Sequence, residues 1–167
     1  MRMQFAPMIV AASLMLLVES AVTPQNAPAA DGDTITVDLR KFQFKVRPEV
    51  VDLFGYDEGE RRLFYYTSGA GETTIKLPTD GDYEVVIRAA DDPALGERAK
   101  FKLAIDGQPI GNETLLTDDD PKDYKLTASA AKAGEHQLVI EFTNDAYKEG
   151  EYDRNFYLHA VTLKRVK

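Results

Sequence analysis

The stretch Tyr83-Glu84-Val85-Val86-Ile87-Arg88-Ala89 decides the fold class. Successive side chains of an extended chain point to opposite faces, so Tyr83, Val85, Ile87 and Ala89 share one apolar face. Working outward, the same period of two recurs. Phe101, Leu103 and Ile105 alternate before the turn at Asp106-Gly107, and Leu138, Ile140 and Phe142 follow the turn at Ala133-Gly134. Phe156 to Leu163 reads as the last strand. Toward the N-terminus lie the β-branched run Thr73 to Leu77, the aromatic-rich run Leu63 to Thr67, and the alternating sets Phe42, Phe44, Val46 and Ile35, Val37, Leu39. Turn signals such as Thr79-Asp80-Gly81, Asp106-Gly107-Gln108-Pro109 and Lys132-Ala133-Gly134 come at short intervals. Such spacing predicts an all-β fold, a β-sandwich of the jelly-roll kind, rather than βαβ units. Pro48 to Tyr56 and Lys125 to Lys132 are the stretches that leave room for short helices.

The N-terminal end has a different character. Arg2 precedes an uncharged, mostly apolar run from Phe5 to Val18, too short to span a bilayer comfortably and suited to a signal peptide. Cleavage after Ser20 and cleavage within the run ending at Ala30 both fit, and a retained anchor is the alternative. Thr23 to Asp33 has linker composition. The expected organisation is therefore a signal peptide and short linker over 1–30 and one β-sandwich domain over 31–167, exported to periplasm, cell surface or medium. With no cysteine in the chain, lipoprotein acylation, thiolate metal sites and thiol chemistry are excluded. A net charge of −8 disfavours nucleic acid and anionic membranes as partners. A neutral ligand or a cation fits that charge, and a monomer is expected.

One loop carries chemistry: Phe142-Thr-Asn-Asp-Ala-Tyr-Lys-Glu-Gly-Glu-Tyr-Asp-Arg-Asn-Phe156. It gathers Asp145, Glu149, Glu151 and Asp153 with the amides of Asn144 and Asn155. Calcium takes six to eight oxygen ligands, and carboxylates, amides and backbone carbonyls supply them. Transition metals are disfavoured by the lack of His and Cys in the loop. Tyr147 and Tyr152 could set a flat apolar ring beside the cation, as a sugar site needs. A second acidic loop, Asp91 to Glu97, brings Asp92 as a further candidate ligand if both loops leave the sheets at one end. The competing reading is a solvated acidic hairpin with ordinary loop-base tyrosines.

These segments resemble the calcium-dependent xylan-binding carbohydrate-binding modules, the group joining families thirty-six and sixty. The resemblance rests on Tyr83 to Ala89, on the hairpin Leu103-Ala-Ile-Asp-Gly107, and above all on Gly134 to Asp145 followed by Asp153-Arg-Asn-Phe-Tyr157. The last pair is similar to the family signature F-x-N-D … D-R-N-L, with Phe156 in place of the usual Leu. The resemblance implies a jelly roll that binds calcium, and direct coordination of vicinal sugar hydroxyls by the ion. It carries Asn144, Asp145, Asp153 and Asn155 onto the metal site and Arg154 onto a buried position that supports the ligand site. Glu151 and Asp92 are added from loop chemistry alone. Polysaccharide or oligosaccharide is the implied partner.

Two rival classes remain. Jelly-roll glycosidases need two carboxylates across a cleft; here Glu84 and Glu141 sit in ordinary alternation, and no Gly-x-Ser-x-Gly elbow is present. A structural or adhesive β-sandwich with a closed calcium site and no glycan is the other. Residues Thr34 to Arg62 are assigned no role.

Overall fold

A computed structural model describes residues 34–166. The signal peptide expected within 1–30 lies outside the described residues. Two antiparallel sheets face each other. The first contains β10 (Lys122–Ala131), β6 (Gly81–Asp92), β14 (Asn155–Arg165), β4 (Arg62–Tyr65) and β3 (Phe54–Asp57), in that order, and β1 (Thr34–Thr36) also pairs with β14. The second runs β2 (Gln43–Phe44), β5 (Gly69–Leu77), β11 (Gly134–Phe142), β7 (Lys100–Ile105), β8 (Gln108–Pro109), and β9 (Thr114–Leu115) also pairs with β7. A separate ribbon joins β12 (Tyr147–Lys148) to β13 (Tyr152–Asp153). The expected β-sandwich is the observed architecture.

The alternation read from the sequence places the core. Tyr83, Val85, Ile87 and Ala89 of β6 meet Phe101, Leu103 and Ile105 of β7 and Leu138, Ile140 and Phe142 of β11 between the sheets. On β14 the inward parity changes: Phe156 and Leu158 face the core, and so do Val161 and Leu163. A register shift between Leu158 and Ala160 inserts the extra residue that makes this change.

Residues Thr34 to Arg62 turn out to close the sandwich. β1 pairs with the last part of β14, β2 pairs with β5, and β3 pairs with β4. Gly71 is required there: a Cβ would stand 2.6 Å from the Tyr65 hydroxyl and 2.9 Å from the Phe44 ring. Of the stretches left open to helix, Pro48–Leu53 forms a 3-10 segment, whereas Lys125 to Lys132 falls largely within β10. Register against β6 decides the latter, since Tyr124, Leu126 and Ala128 each align with an inward residue of that strand. The strands expected at Ile35 to Leu39 and Phe42 to Val46 are shorter than their alternation suggests, because Leu39–Lys41 turns as a 3-10 segment capped by Asp38. Among the described residues no helix is long and apolar enough to cross a membrane.

Candidate metal and glycan site

A cleft of about 480 Å³ opens at one end of the sandwich, lined by Leu53, Tyr66, Thr67, Asp145, Tyr147, Asp153, Asn155 and Tyr157. Four chain segments meet there. β11 leads into Asp145, the β12–β13 ribbon brings Tyr147 and Asp153, β14 begins with Asn155 and Tyr157, and the chain leaving β4 contributes Tyr66 and Thr67. The Tyr66 amide donates to the Leu53 carbonyl at 2.8 Å, which ties that exit to the 3-10 segment before β3.

Asp145 is held from behind. Its Oδ2 accepts from the Thr67 hydroxyl at 3.0 Å, and its amide donates to the Ser68 hydroxyl at 2.9 Å. Its Oδ1 is buried without a hydrogen-bond partner. Burial pushes the carboxyl above its ordinary range and the nearby Asp153 charge adds to this, while the Thr67 hydrogen bond opposes it. Asn155 is buried, and its Nδ2 donates to Asp92 Oδ2 at 3.3 Å. A carboxylate can only accept, so Asp92 fixes which end of the amide faces it and leaves Oδ1 as the free end. That Oδ1 is also buried and unpartnered.

Buried polar atoms normally find partners. Two orphaned oxygens lining one cleft, with the Asp153 carboxylate beside them, form a donor set suited to a hard cation. Among the described residues no three acidic or histidine side chains converge closely enough to hold a metal ion by themselves. A cation held here would need the Asn155 amide oxygen beside the carboxylates, with the remaining coordination positions filled by carbonyls, water or a ligand. The residues present fit calcium, and they fit an incompletely filled coordination shell better than a closed one.

The other residues expected at the site lie outside this cleft. Asn144 spends its side chain on the fold: Oδ1 accepts from the Lys100 amide at 2.7 Å, and Nδ2 donates to the Arg98 carbonyl at 2.9 Å. Glu151 stands on the ribbon turn and pairs with Lys148 at 2.5 Å. Tyr152 faces away from the cleft because the ribbon register pairs Tyr147 with Asp153 and Lys148 with Tyr152, and neighbouring positions point to opposite faces. Asp92 acts through Asn155 and through Tyr157, whose hydroxyl donates to it at 2.5 Å.

Arg154 is likewise unavailable to a ligand, with a side chain only 4% exposed. It donates to the carbonyls of Glu97 (3.0 Å), Asn144 (2.5 Å) and Ala94 (2.6 Å), and its amide donates to the Ala146 carbonyl at 2.9 Å. The two acidic loops do meet at one end of the sandwich, and this guanidinium joins them. Asp91 anchors the second loop from inside, accepting from Arg98 Nη1 at 2.6 Å and from the Ala99 amide at 2.8 Å.

Sequence reasoning passed over Leu53, Tyr66, Thr67 and Tyr157. A weak signal was present for two of them: Tyr66, just past β4, and Tyr157, on β14, each follow an inward neighbour, Tyr65 and Phe156, that is fully buried. Tyr66 is 39% exposed and Tyr147 63%, so the cleft mouth carries two aromatic faces open to solvent. Tyr66 stacks on Phe64 at 4.6 Å between centroids and meets Tyr157 edge-on at 6.3 Å.

An all-β sandwich with an oxygen-rich, aromatic-rimmed cleft at the loop end has the architecture that a calcium-dependent carbohydrate-binding module requires. Residues 84–167 match the family described as the Ca-dependent, xylan-binding carbohydrate-binding module, CBM60, and the chain belongs to that family. No curated protein matches the sequence. Among solved structures, the fold is similar to the CBM36-1 domain of a multidomain xylanase from the hindgut metagenome of Trinervitermes trinervoides (TM-score 0.62, 12% identity, 81% of this chain and 99% of that one). It is also similar to carbohydrate-binding module CBM36 in complex with calcium and xylotriose (TM-score 0.55, 14% identity, 79% and 98%). A third similar structure is the C-terminal CBM6 of the laminarinase LamC from Zobellia galactanivorans (TM-score 0.51, 13% identity, 80% and 100%). Identities this low speak to the fold; the calcium dependence rests on family membership.

Proposed function

We propose that residues 31–167 form an exported, non-catalytic module that binds polysaccharide of the xylan type, and that Asp145, Asp153 and Asn155 hold its calcium ion. The observation carrying this reading is the pair of buried, unpartnered oxygens, Asp145 Oδ1 and Asn155 Oδ1, in one cleft. The bound ion would offer its open positions to vicinal sugar hydroxyls, which replace calcium-bound waters at little desolvation cost.

The chain's own residues do the rest. Thr67 and Ser68 orient Asp145, Asp92 orients Asn155, and Arg154 draws the two loops together. Tyr147 and Tyr66 present ring faces against which a pyranose packs its C–H surface, excluding water beside the hydroxyls. The apolar run Phe5 to Val18 supports export.

Calorimetric titration of the protein with calcium, then with xylo-oligosaccharides with and without chelator, tests the reading. Calcium binding, and glycan binding that chelator abolishes, are expected for the parent. Asp145→Asn should lose both while keeping the fold. Undiminished calcium binding by that variant would overturn the ligand assignment, and glycan binding in chelator would overturn the mechanism.

A further inference from the structure

Behind Tyr157, on the outer face of the first sheet, lies a cation with no anion among the described residues. Three arginines of the described residues are withdrawn from solvent: Arg62, Arg98 and Arg154. Arg98 is paired with Asp91 and Asp119, and Arg154 is consumed by loop carbonyls. Arg62 has neither an ion pair nor a hydrogen bond among the described residues, and its Nε is buried without an acceptor. Its guanidinium lies over the Tyr157 ring, 3.8 Å from the centroid. A ring face offers no hydrogen-bond acceptor in the plane of the guanidinium, so this contact satisfies none of its N–H donors.

The surroundings supply no anion in its place. His159 follows on β14, and its Nε2 is buried without a partner. Burial, Arg62 and Arg88 all hold its imidazole below the ordinary range, opposed by Glu60. Arg88 itself is spoken for by Asp123 at 3.1 Å. Glu60 is exposed and makes no ion pair with Arg62, so it does not supply the missing acceptor. A partly buried, unpaired guanidinium is costly in a chain of net charge −8, where carboxylates are abundant.

Tyr157 links the two places. It lines the calcium cleft and carries Arg62 on its ring. A glycan seated in the cleft with one substituent directed over Tyr157 would bring that substituent to Arg62. We propose that Arg62, supported by Tyr157, is a subsite for the carboxylate of a uronic acid on the bound glycan, so that the module prefers acid-decorated chains to plain ones. The two Nη groups of the guanidinium can meet the two oxygens of a carboxylate, and the ring contact holds the group in place. This rests on the calcium-dependent reading of the cleft and adds the substrate's charge to it.

The test compares a linear neutral xylo-oligosaccharide with the same chain bearing one glucuronic acid, both titrated into the calcium-loaded full chain. The acidic ligand should bind roughly tenfold more tightly, the scale expected of one charge-assisted bidentate contact. The preference should shrink in high salt and vanish in Arg62→Met, with calcium affinity and binding of the neutral ligand kept. Arg62→Lys should restore only part of it. Equal affinities in the parent, or a preference that survives Arg62→Met, would overturn the subsite. A second readout separates it from the cleft reading: with chelator present, sodium glucuronate should shift the NMR signal of the Arg62 Nε–H while sodium chloride does not. An unmoved signal counts against the subsite, whatever the calcium titration gives; a moved signal with no glycan binding in calcium would sink the cleft reading alone.

Discussion

Replacing Arg154 by Met should break the site without touching a proposed calcium ligand. The side chain is 4% exposed and donates to the carbonyls of Ala94, Glu97 and Asn144 at 2.6, 3.0 and 2.5 Å. Methionine fills much of the same space but donates nothing. Removing one side of a buried, charge-assisted network costs about 3–5 kcal/mol, less than the sum of the separate bonds because water reaches some of the freed carbonyls. For a domain of this size each kcal/mol lowers Tm by roughly 3–5 °C, so a fall of about 10–20 °C is expected. Scanning calorimetry with chelator measures this directly. Calcium affinity should drop as well, by roughly tenfold or more, because Asp153 and Asn155 flank Arg154 and Asp145 follows Asn144. Arg154→Lys should lie between, since an ammonium keeps the charge but cannot span all these carbonyls in one plane. If Arg154→Met melts within about 2 °C of the parent and binds calcium normally, the guanidinium is not what joins the loops.

Other expectations concern single groups. Asp145 has its folded pKa raised, chiefly by burial, so its charge destabilises the calcium-free domain as pH rises through that pKa. Asp145→Asn should therefore melt no lower than the parent in chelator at pH 7, yet show none of the parent's rise in Tm on adding calcium. At the opposite end of β11, His136 Nδ1 meets Asp106 Oδ2 at 2.6 Å and Nε2 meets the Lys132 carbonyl at 2.7 Å. Both partners only accept, which favours the imidazolium, and the pKa is raised, first by the Asp106 hydrogen bond. The stabilisation is full below the ordinary imidazole range and lost as pH rises through the raised pKa, so Tm measured from pH 6 upward should decline, and His136→Gln should flatten that decline. Phe156 packs among Tyr65, Phe101 and Phe142 at 5.3, 5.7 and 6.0 Å between centroids. Phe156→Leu should cost about 1–2 kcal/mol in denaturant melts and leave calcium titrations unchanged. Tyr147→Ala should weaken glycan binding by roughly tenfold with calcium affinity intact; equal loss of both would make Tyr147 a structural residue instead.

Much of the site was legible because it is local. The acidic run from Asp145 to Asp153 announces oxygen chemistry by composition, and its position between two strong strands places it at a sheet end. Which of its oxygens face the cleft was not legible. Asn144 and Arg154 have the polarity of ligands, and both are turned into the fold by backbone groups far away in the chain. Tyr147 and Tyr152 look equivalent in sequence, and only the ribbon register separates them.

By itself, the sequence determined the period-two faces, and with them the core residues and the sandwich, because strand parity is a property of neighbouring residues. It also determined that one loop is rich in hard-cation donors. Only the tertiary structure decided that Leu53, Tyr66, Thr67 and Tyr157 join Asp145 at one cleft, and that Arg62 stands behind it with no ion pair among the described residues. Those meetings depend on which strand pairs with which and in what register. That choice is made by the summed burial of both sheets, so no single stretch of the chain encodes it.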